Sequence, residues 1–466
     1  MLSIARLKML DGLRDAKFLF LATLVVLAFL FNGIVGAEHY RLEREGYLES
    51  IAQNIRGLEN NCSNLQLLAT FQQHFQKPPS PLAFVAEGGG RMLPNSVVMN
   101  VFARYESAHE QRGNYKLPLL NSVDWNFIIG GLMAMLAIVI SFGSVSGEKR
   151  DGTLRQMLAN PVSRLSLFAG NYLGLLAVAL AALVLGVVFN LVALELLDGP
   201  PLSGEILLPL AWSFFFSILY ISLFILVGMA ASAMTSRPAV ALVILLVFWV
   251  LAVVAAPGVS RLLSEQMVEI PLQQWVTEEQ GRVYVEIWNS YPPIIGRFTG
   301  DPFEPHMPMR AEANQRICEA QQRVRDGASA ARVQQVLLAQ GISWISPYGL
   351  LSDSLQMSCG TGIHGFNLLR DNAERYRRIL HDFVVERDRQ DSTSAHLVYG
   401  NRDYEYRTFS TKEVPLVAVP RSSAMWSAAG LVDRRETPWW QMIWLLLYNL
   451  TAGLVSFTAL MRYDPR

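Results

Sequence analysis

Ser144–Gly174 reads SVSGEKRDGTLRQMLANPVSRLSLFAGNYLG, a charged island between two long apolar runs. It holds Glu148, Lys149, Arg150 and Asp151, then Gly152-Thr153-Leu154-Arg155. The pattern predicts a short helix from Arg155 to Ala159, stopped by Asn160-Pro161 because the residue before proline is driven out of the helical region. An island this short between membrane spans is not a domain. It is either an ordinary loop or a short helix lying across the membrane face and held out for a partner.

The apolar runs decide the fold class. The 466-residue chain is 52% hydrophobic and 17% charged, against ~25% charged residues in soluble domains. Lys+Arg and Asp+Glu number 39 each, so no global field attracts nucleic acid or an acidic partner. Spans are predicted at residues 18–37, 125–146, 165–197, 206–235, 238–260 and 439–461. Each has the ~20 residues that crossing a bilayer needs. The prediction is an all-α polytopic membrane protein with six transmembrane helices.

Basic residues set the orientation. Arg6, Lys8, Arg14 and Lys17 precede the first span; Lys149, Arg150, Arg155 and Arg164 lie in the island, at 147–164; Arg237, Arg462 and Arg466 flank later spans on the same side. Both termini, including the 462–466 tail, are therefore expected in the cytoplasm. Residues 38–124 and 261–438 become two mostly helical external insertions. Residues 1–17 read as an amphipathic helix on the membrane surface, with Leu2, Ala5, Met9, Leu13 and Ala16 on one face and Lys8, Asp11 and Asp15 opposite. The first span is too long for a cleaved signal peptide.

Several smaller readings follow. Helix is expected over much of 40–76 and at 310–326 and 367–389, with a hairpin in 396–418 rich in Val, Tyr, Thr and Phe. Asp124-Trp125-Asn126 marks re-entry, the ring at the interface and the carboxylate in water. Small residues of the third span, among them Gly170 and Gly174, suit close helix packing. Asn32, Asn190 and Asn449 put amides inside spans. Uncharged spans argue against an ion-coupled carrier. No phosphate loop, H-E-x-x-H or G-x-S-x-G motif is present, so a nucleotide site would have to come from elsewhere. His364 and His381 are surface residues or pH sensors on this reading, and no metal site is assigned. Cys62, Cys318 and Cys359 all fall in the external insertions. An oxidising compartment permits one disulfide, and Cys318–Cys359 is favoured because both belong to the second insertion.

Glu148-Lys149-Arg150-Asp151-Gly152-Thr153-Leu154, then Ala159-Asn160-Pro161-Val162-Ser163-Arg164 and Ala169-Gly170-Asn171-Tyr172-Leu173-Gly174, resemble the E-x-x-x-G-T-L, N-P-V-x-R and G-K-Y-L-G signature of ABC-2 type (type V-like) transporter permeases. Asn171 stands where that family usually has lysine. Residues 346–353 (SPYGLLSD), Gly360-Thr361-Gly362, His364 and Tyr376-Arg377-Arg378 are similar to the branch with a large external domain before the last span; Gly362 replaces its acidic residue.

The resemblance implies a non-catalytic permease subunit of an ATP-driven exporter in a bacterial inner membrane. ATP and Mg would be bound by a separate ATPase, and a second permease chain would complete the path. On this reading Glu148, Gly152, Thr153, Leu154, Arg155, Met157 and Leu158 form the ATPase-coupling site. The apolar members fill a groove, while Glu148 and Arg155 pair with charges on its rim. Membrane lipid is the other expected contact, periplasmic or outer-membrane partners stay open, and no nucleic-acid partner is expected. Two rivals also stay open: an ATP-driven mechanical transducer acting on an external partner, and a membrane-anchored external receptor or enzyme. Substrate is unreadable.

Overall fold

The computed structural model describes residues 2–88, 94–106, 123–153, 156–157, 163–297, 301–399, 408–426 and 438–462. Among the described residues, six helices are long and apolar enough to cross a membrane: α2 (Ala16–Asn61), α4 (Trp125–Arg150), α5 (Arg164–Leu196), α6 (Gly204–Met234), α7 (Pro238–Met267) and α12 (Trp439–Met461). The chain is a multi-pass helical membrane protein. In lipid a backbone must satisfy its own polar groups, so apolar runs of this length fold as helices. The most apolar window of α6 is 67% buried and that of α7 17%. α6 is thus the central staff of the bundle, and α7 turns most of its surface outward.

The amides of Asn32, Asn190 and Asn449 inside the bundle are paired, as their burial requires. Asn190 donates to Asn32 Oδ1 and to Phe29 O, both at 2.7 Å, and its own Oδ1 accepts from Trp125 Nε1 at 3.2 Å. One amide thereby ties α2, α4 and α5 together. Gly33 allows the approach: a Cβ there would lie 2.8 Å from Asn190 O. Asn449 of α12 accepts from Ser222 of α6 at 2.7 Å.

Trp125 is fully buried, and Asp124 is half-buried beside it, not standing in water as expected. The Asp124 carboxylate takes the Phe127 N–H at 2.9 Å and the Glu87 N–H at 3.0 Å. Burial pushes its pKa up to about 7, against the pull of those two donors.

α1 (Leu2–Arg14) is not a free surface helix. It packs along α5, where Gly174 admits it: a Cβ there would meet Ala5 O and Lys8 Cβ at 2.8 Å. Lys8 lies on the inner face with Ala5 and Gly12, not opposite it, because residues three, four and seven apart share a helical face.

Opposite the island, the two insertions form one interlocked unit. Its mast is α2, 46 residues or about 69 Å long, far beyond the ~30 Å hydrocarbon core. The first insertion adds α3 (Leu65–Thr70) and three short antiparallel strands, β1 (Gln73–Gln76), β2 (Ser96–Met99) and β3 (Arg104–Glu106). Gln73 pairs with Met99, and Met99 in turn with Arg104. These strands replace part of the expected helix and irregular chain. The second insertion adds α8 (Gln273–Asn289), α9 (Met307–Ser343), α10 (Pro347–Cys359) and α11 (Gly362–Arg389).

Contacts distant in sequence stitch the insertions together. Tyr376 of α11 donates to Gln73 Oε1 at 2.7 Å and stacks on Phe75, their rings 5.7 Å apart. Arg104 is buried and pairs with Asp326 at 2.6 Å. The Val414 N–H reaches Cys62 O at 2.8 Å. At the expected hairpin, the Leu397 N–H donates to Thr408 O at 2.9 Å, so the two arms meet; residues 400–407 lie outside the described residues, and no strand occurs among the described residues of 396–418.

The favoured Cys318–Cys359 disulfide is not formed. Cys62, Cys318 and Cys359 are joined by no disulfide. Cys359, at the end of α10, is buried among bundle side chains with its Sγ 3.9 Å from Ser213 Oγ of α6. Membership of one insertion did not bring the two thiols together, because α10 belongs to the top of the membrane bundle.

Candidate functional site

The island begins within the last turns of α4. Ser141 packs on Gly228 of α6, where a Cβ would collide with the serine hydroxyl. The backbone then turns at residues 142–145. The freed Val145 and Ser146 N–H groups both donate to Ser232 Oγ, at 3.0 and 2.9 Å. Ser146 Oγ donates to Phe142 O at 3.1 Å and lies 3.1 Å from Ser232 Oγ. One buried hydroxyl on α6 therefore closes the turn, as the rule that buried backbone groups find partners demands.

Lys149 and Glu148 extend the anchorage. Lys149 Nζ donates to Ala233 O and, at 3.5 Å, to Thr235 O. Those carbonyls end α6, where a cation also suits the helix dipole. Glu148 is buried and forms an ion pair with Lys8 of α1. Lys17 lies over the Phe142 ring, 5.8 Å from its centroid. Arg164 Nη1 caps the far end of α12 through Met461 O at 2.6 Å.

The chain then turns outward. Gly152 adopts φ +72°, and a Cβ there would meet nothing within 4 Å. It is the left-handed backbone, not crowding, that favours glycine at this position. Thr153 Oγ1 donates back to Glu148 O at 3.3 Å. Asp151, Gly152 and Thr153 are exposed, as is Gln156. Met157 is half-buried against Val145, Leu167, Ala233 and Leu460.

Two expected roles change. Glu148 faces inward to Lys8 and not to an outside rim, and Met157 faces at least partly the protein's own end cluster. Leu154, Arg155 and Leu158 lie outside the described residues. Sequence reading missed Ser232 and Lys149 as anchors and misplaced Lys8. The available signal was the spacing of Ala5, Lys8 and Gly12 on one helical face; a serine in the last turn of α6 gives none.

This geometry joins the last turns of α4 to α1 and α6. A force applied at the exposed loop reaches three helices through two backbone bonds, one lysine and one ion pair. Among the described residues no group of three or more His, Cys, Asp or Glu side chains is arranged to hold a metal. No curated protein matches the chain. Residues 2–348 match the family described as ABC-2 family transporter protein. That match covers every span except the last together with the island, so the chain belongs to the ABC-2 transporter family and is a permease of an ABC transporter.

Proposed function

We propose that this chain is the permease subunit of an ABC-2 exporter in a bacterial inner membrane, with the island and both termini in the cytoplasm. A separate ATPase binds ATP and Mg and docks on the segment beginning at Asp151. A second permease chain, identical or similar, completes the complex. Nucleotide-driven closure of the ATPase pair biases a two-state arrangement of the spans. The carrying observation is the island's anchorage: Ser232, Lys149 and the Lys8–Glu148 pair link its exposed turn to α1 and α6. A passive loop does not need three attachments to two helices.

The test is co-purification with the ATPase and ATP turnover in reconstituted membranes, comparing wild type with Glu148→Ala and Leu154→Asp. Glu148→Ala leaves the Lys8 charge without its partner, at ~1–3 kcal/mol or more. The expected outcome is a permease that inserts but either hydrolyses ATP without transport or loses its ATPase. Wild-type assembly and coupling in both variants would reduce the island to a loop. Orientation is tested separately on a cysteine-free background. Asn60→Cys and Gln273→Cys, both exposed sites, should label from outside intact spheroplasts, and Asp151→Cys only after permeabilisation.

A second reading has its own support. The continuous α2 helix and interlocked outer unit make a stiff lever, suited to moving an external partner without passing a substrate. Vesicle transport distinguishes the two: ATP-dependent accumulation of a substrate excludes a pure transducer.

A further inference from the structure

At the opposite end of the bundle from the island lies a cavity of about 620 Å³, within the usual range for small-molecule sites. Trp344, Trp439, Trp440, Met357, Asp353 and His364 contribute to its lining. α10 builds its floor. Ser346 anchors the start of α10 to Ala252 O of α7, Tyr348 packs on Gly130 of α4, and Cys359 rests by Ser213 of α6. The cavity thus stands on the spans themselves.

Its chemistry is specific. Asp353 is 4% exposed. Its Oδ2 accepts from Trp344 Nε1 at 3.0 Å and from Gln441 Nε2 at 2.7 Å. Its Oδ1 faces His364 Nε2 at 3.8 Å, too far for a hydrogen bond. Among the described residues no lysine or arginine forms an ion pair with Asp353. Two neutral donors hold the carboxylate in place, and burying a carboxylate is costly without a cation close by. Indole faces attract cations, quaternary ammonium groups above all. A carboxylate beneath three tryptophans and a methionine therefore selects a soft organic cation over an anion or a neutral polar group.

The mouth points to where that cation comes from. Trp439 and Trp440 are 54% and 68% exposed at the first turn of α12, and Trp444 one turn further along is also exposed. Tryptophans there form an interfacial belt, continuous with the lipid-facing side of the helix. Trp439 is fixed by edge-to-face contact with Trp212, their rings 5.8 Å apart.

We propose that this cavity binds the ammonium head group of a membrane amphiphile, Asp353 pairing with the charge and Trp344, Trp439 and Trp440 enclosing it, while the chain remains against α12. The inference rests on the cavity alone and goes beyond the permease reading. It is tested on the purified full chain in maltoside detergent without an ATPase, so its failure would leave that reading standing.

The probe is an alkyl trimethylammonium carrying a diazirine on its chain. Photolabelling should saturate and map to peptides containing residues 337–364 and 439–441. Dodecyltrimethylammonium should compete and dodecyl sulfate should not. Asp353→Asn should lower labelling at least tenfold. Trp440→Ala, at an exposed position that leaves the fold intact, should lower it about threefold and carries the test if Asp353→Asn misfolds. Competition by phosphatidylethanolamine identifies the occupant as lipid; competition by the trimethylammonium compound alone identifies a non-lipid amphiphile. Equal competition by dodecyl sulfate and dodecyltrimethylammonium, or undiminished labelling in both variants, overturns the proposal.

Discussion

The outer unit and the island are built by opposite means. The outer unit closes by contacts between residues hundreds of positions apart: Tyr376 with Gln73, Arg104 with Asp326, Val414 with Cys62. It contains buried aromatic stacks and a buried carboxylate network, in which Asp388 accepts from Ser394 and Ser410, and Asp391 from Ser410 and Lys412. The island has a few polar attachments and one small apolar cluster, and its turn at 151–153 is exposed. On the proposed function the difference separates two tasks. Dense non-local packing gives rigidity, whereas a segment that transmits a partner's motion needs firm roots and a free surface. Substitutions should therefore sort by region, outer ones changing stability and island ones changing coupling.

Phe75→Ala should have the largest effect. Phe75 is fully buried between Tyr376 and Trp426, with ring distances of 5.7 and 5.4 Å. Such truncations cost ~3–5 kcal/mol. The expected result is a marked fall in the thermal midpoint of the outer unit and early proteolysis there. Unchanged melting would break the claim that the two insertions share one core.

Ser232→Val should act on coupling and leave the outer unit intact. It removes the acceptor for two buried N–H groups, each worth ~1–3 kcal/mol when left unsatisfied. ATPase turnover should separate from transport while the outer unit melts as in wild type. A variant that melts early yet couples normally would reverse the comparison.

Gly33→Ala tests the bundle between the two regions. The added methyl would lie 2.8 Å from Asn190 O and 2.9 Å from Ala193 Cβ. Overpacking of this kind costs ~1–3 kcal/mol, and the loss should show as lower detergent stability.

The last test is one of pH. Asp124 has its pKa raised to about 7 by burial, above its unfolded value of ~3.9. The folded state therefore holds its proton longer, and wild-type stability falls as pH rises from about 4 to about 7. Asp124→Asn does not titrate, so its melting temperature relative to wild type should rise across that window. Asp391 has the opposite sign. Hydrogen bonds from Lys412, Ser410 and Thr393 hold it well below the ordinary carboxylate range, so its contribution is present at neutral pH and is lost as acid titrates it below about pH 4. A flat Asp124→Asn difference from pH 5 to 8 would show that the re-entry site is wetter than its contacts indicate.

Sequence alone determined the membrane architecture and the position of the island. A bilayer leaves few choices for a long run without charge, and a charged island between two such runs is forced out of the hydrocarbon. The family signature likewise lies in contiguous residues. Tertiary structure decided the rest. Strands of three or four residues carry too few periods to be read, and the sheet exists because α11 packs across it. Lys8 looked solvent-facing because its own helix could be turned either way; α5, with Gly174 at the contact, decided that it points inward to Glu148. Asp353, Trp344 and Gln441 meet only once α10 settles on the spans. Local periodicity and hydropathy act through the neighbouring residues of one segment, whereas a buried ion pair, a shared core or a cavity depends on which segments meet, and that is settled by the packing of the whole chain.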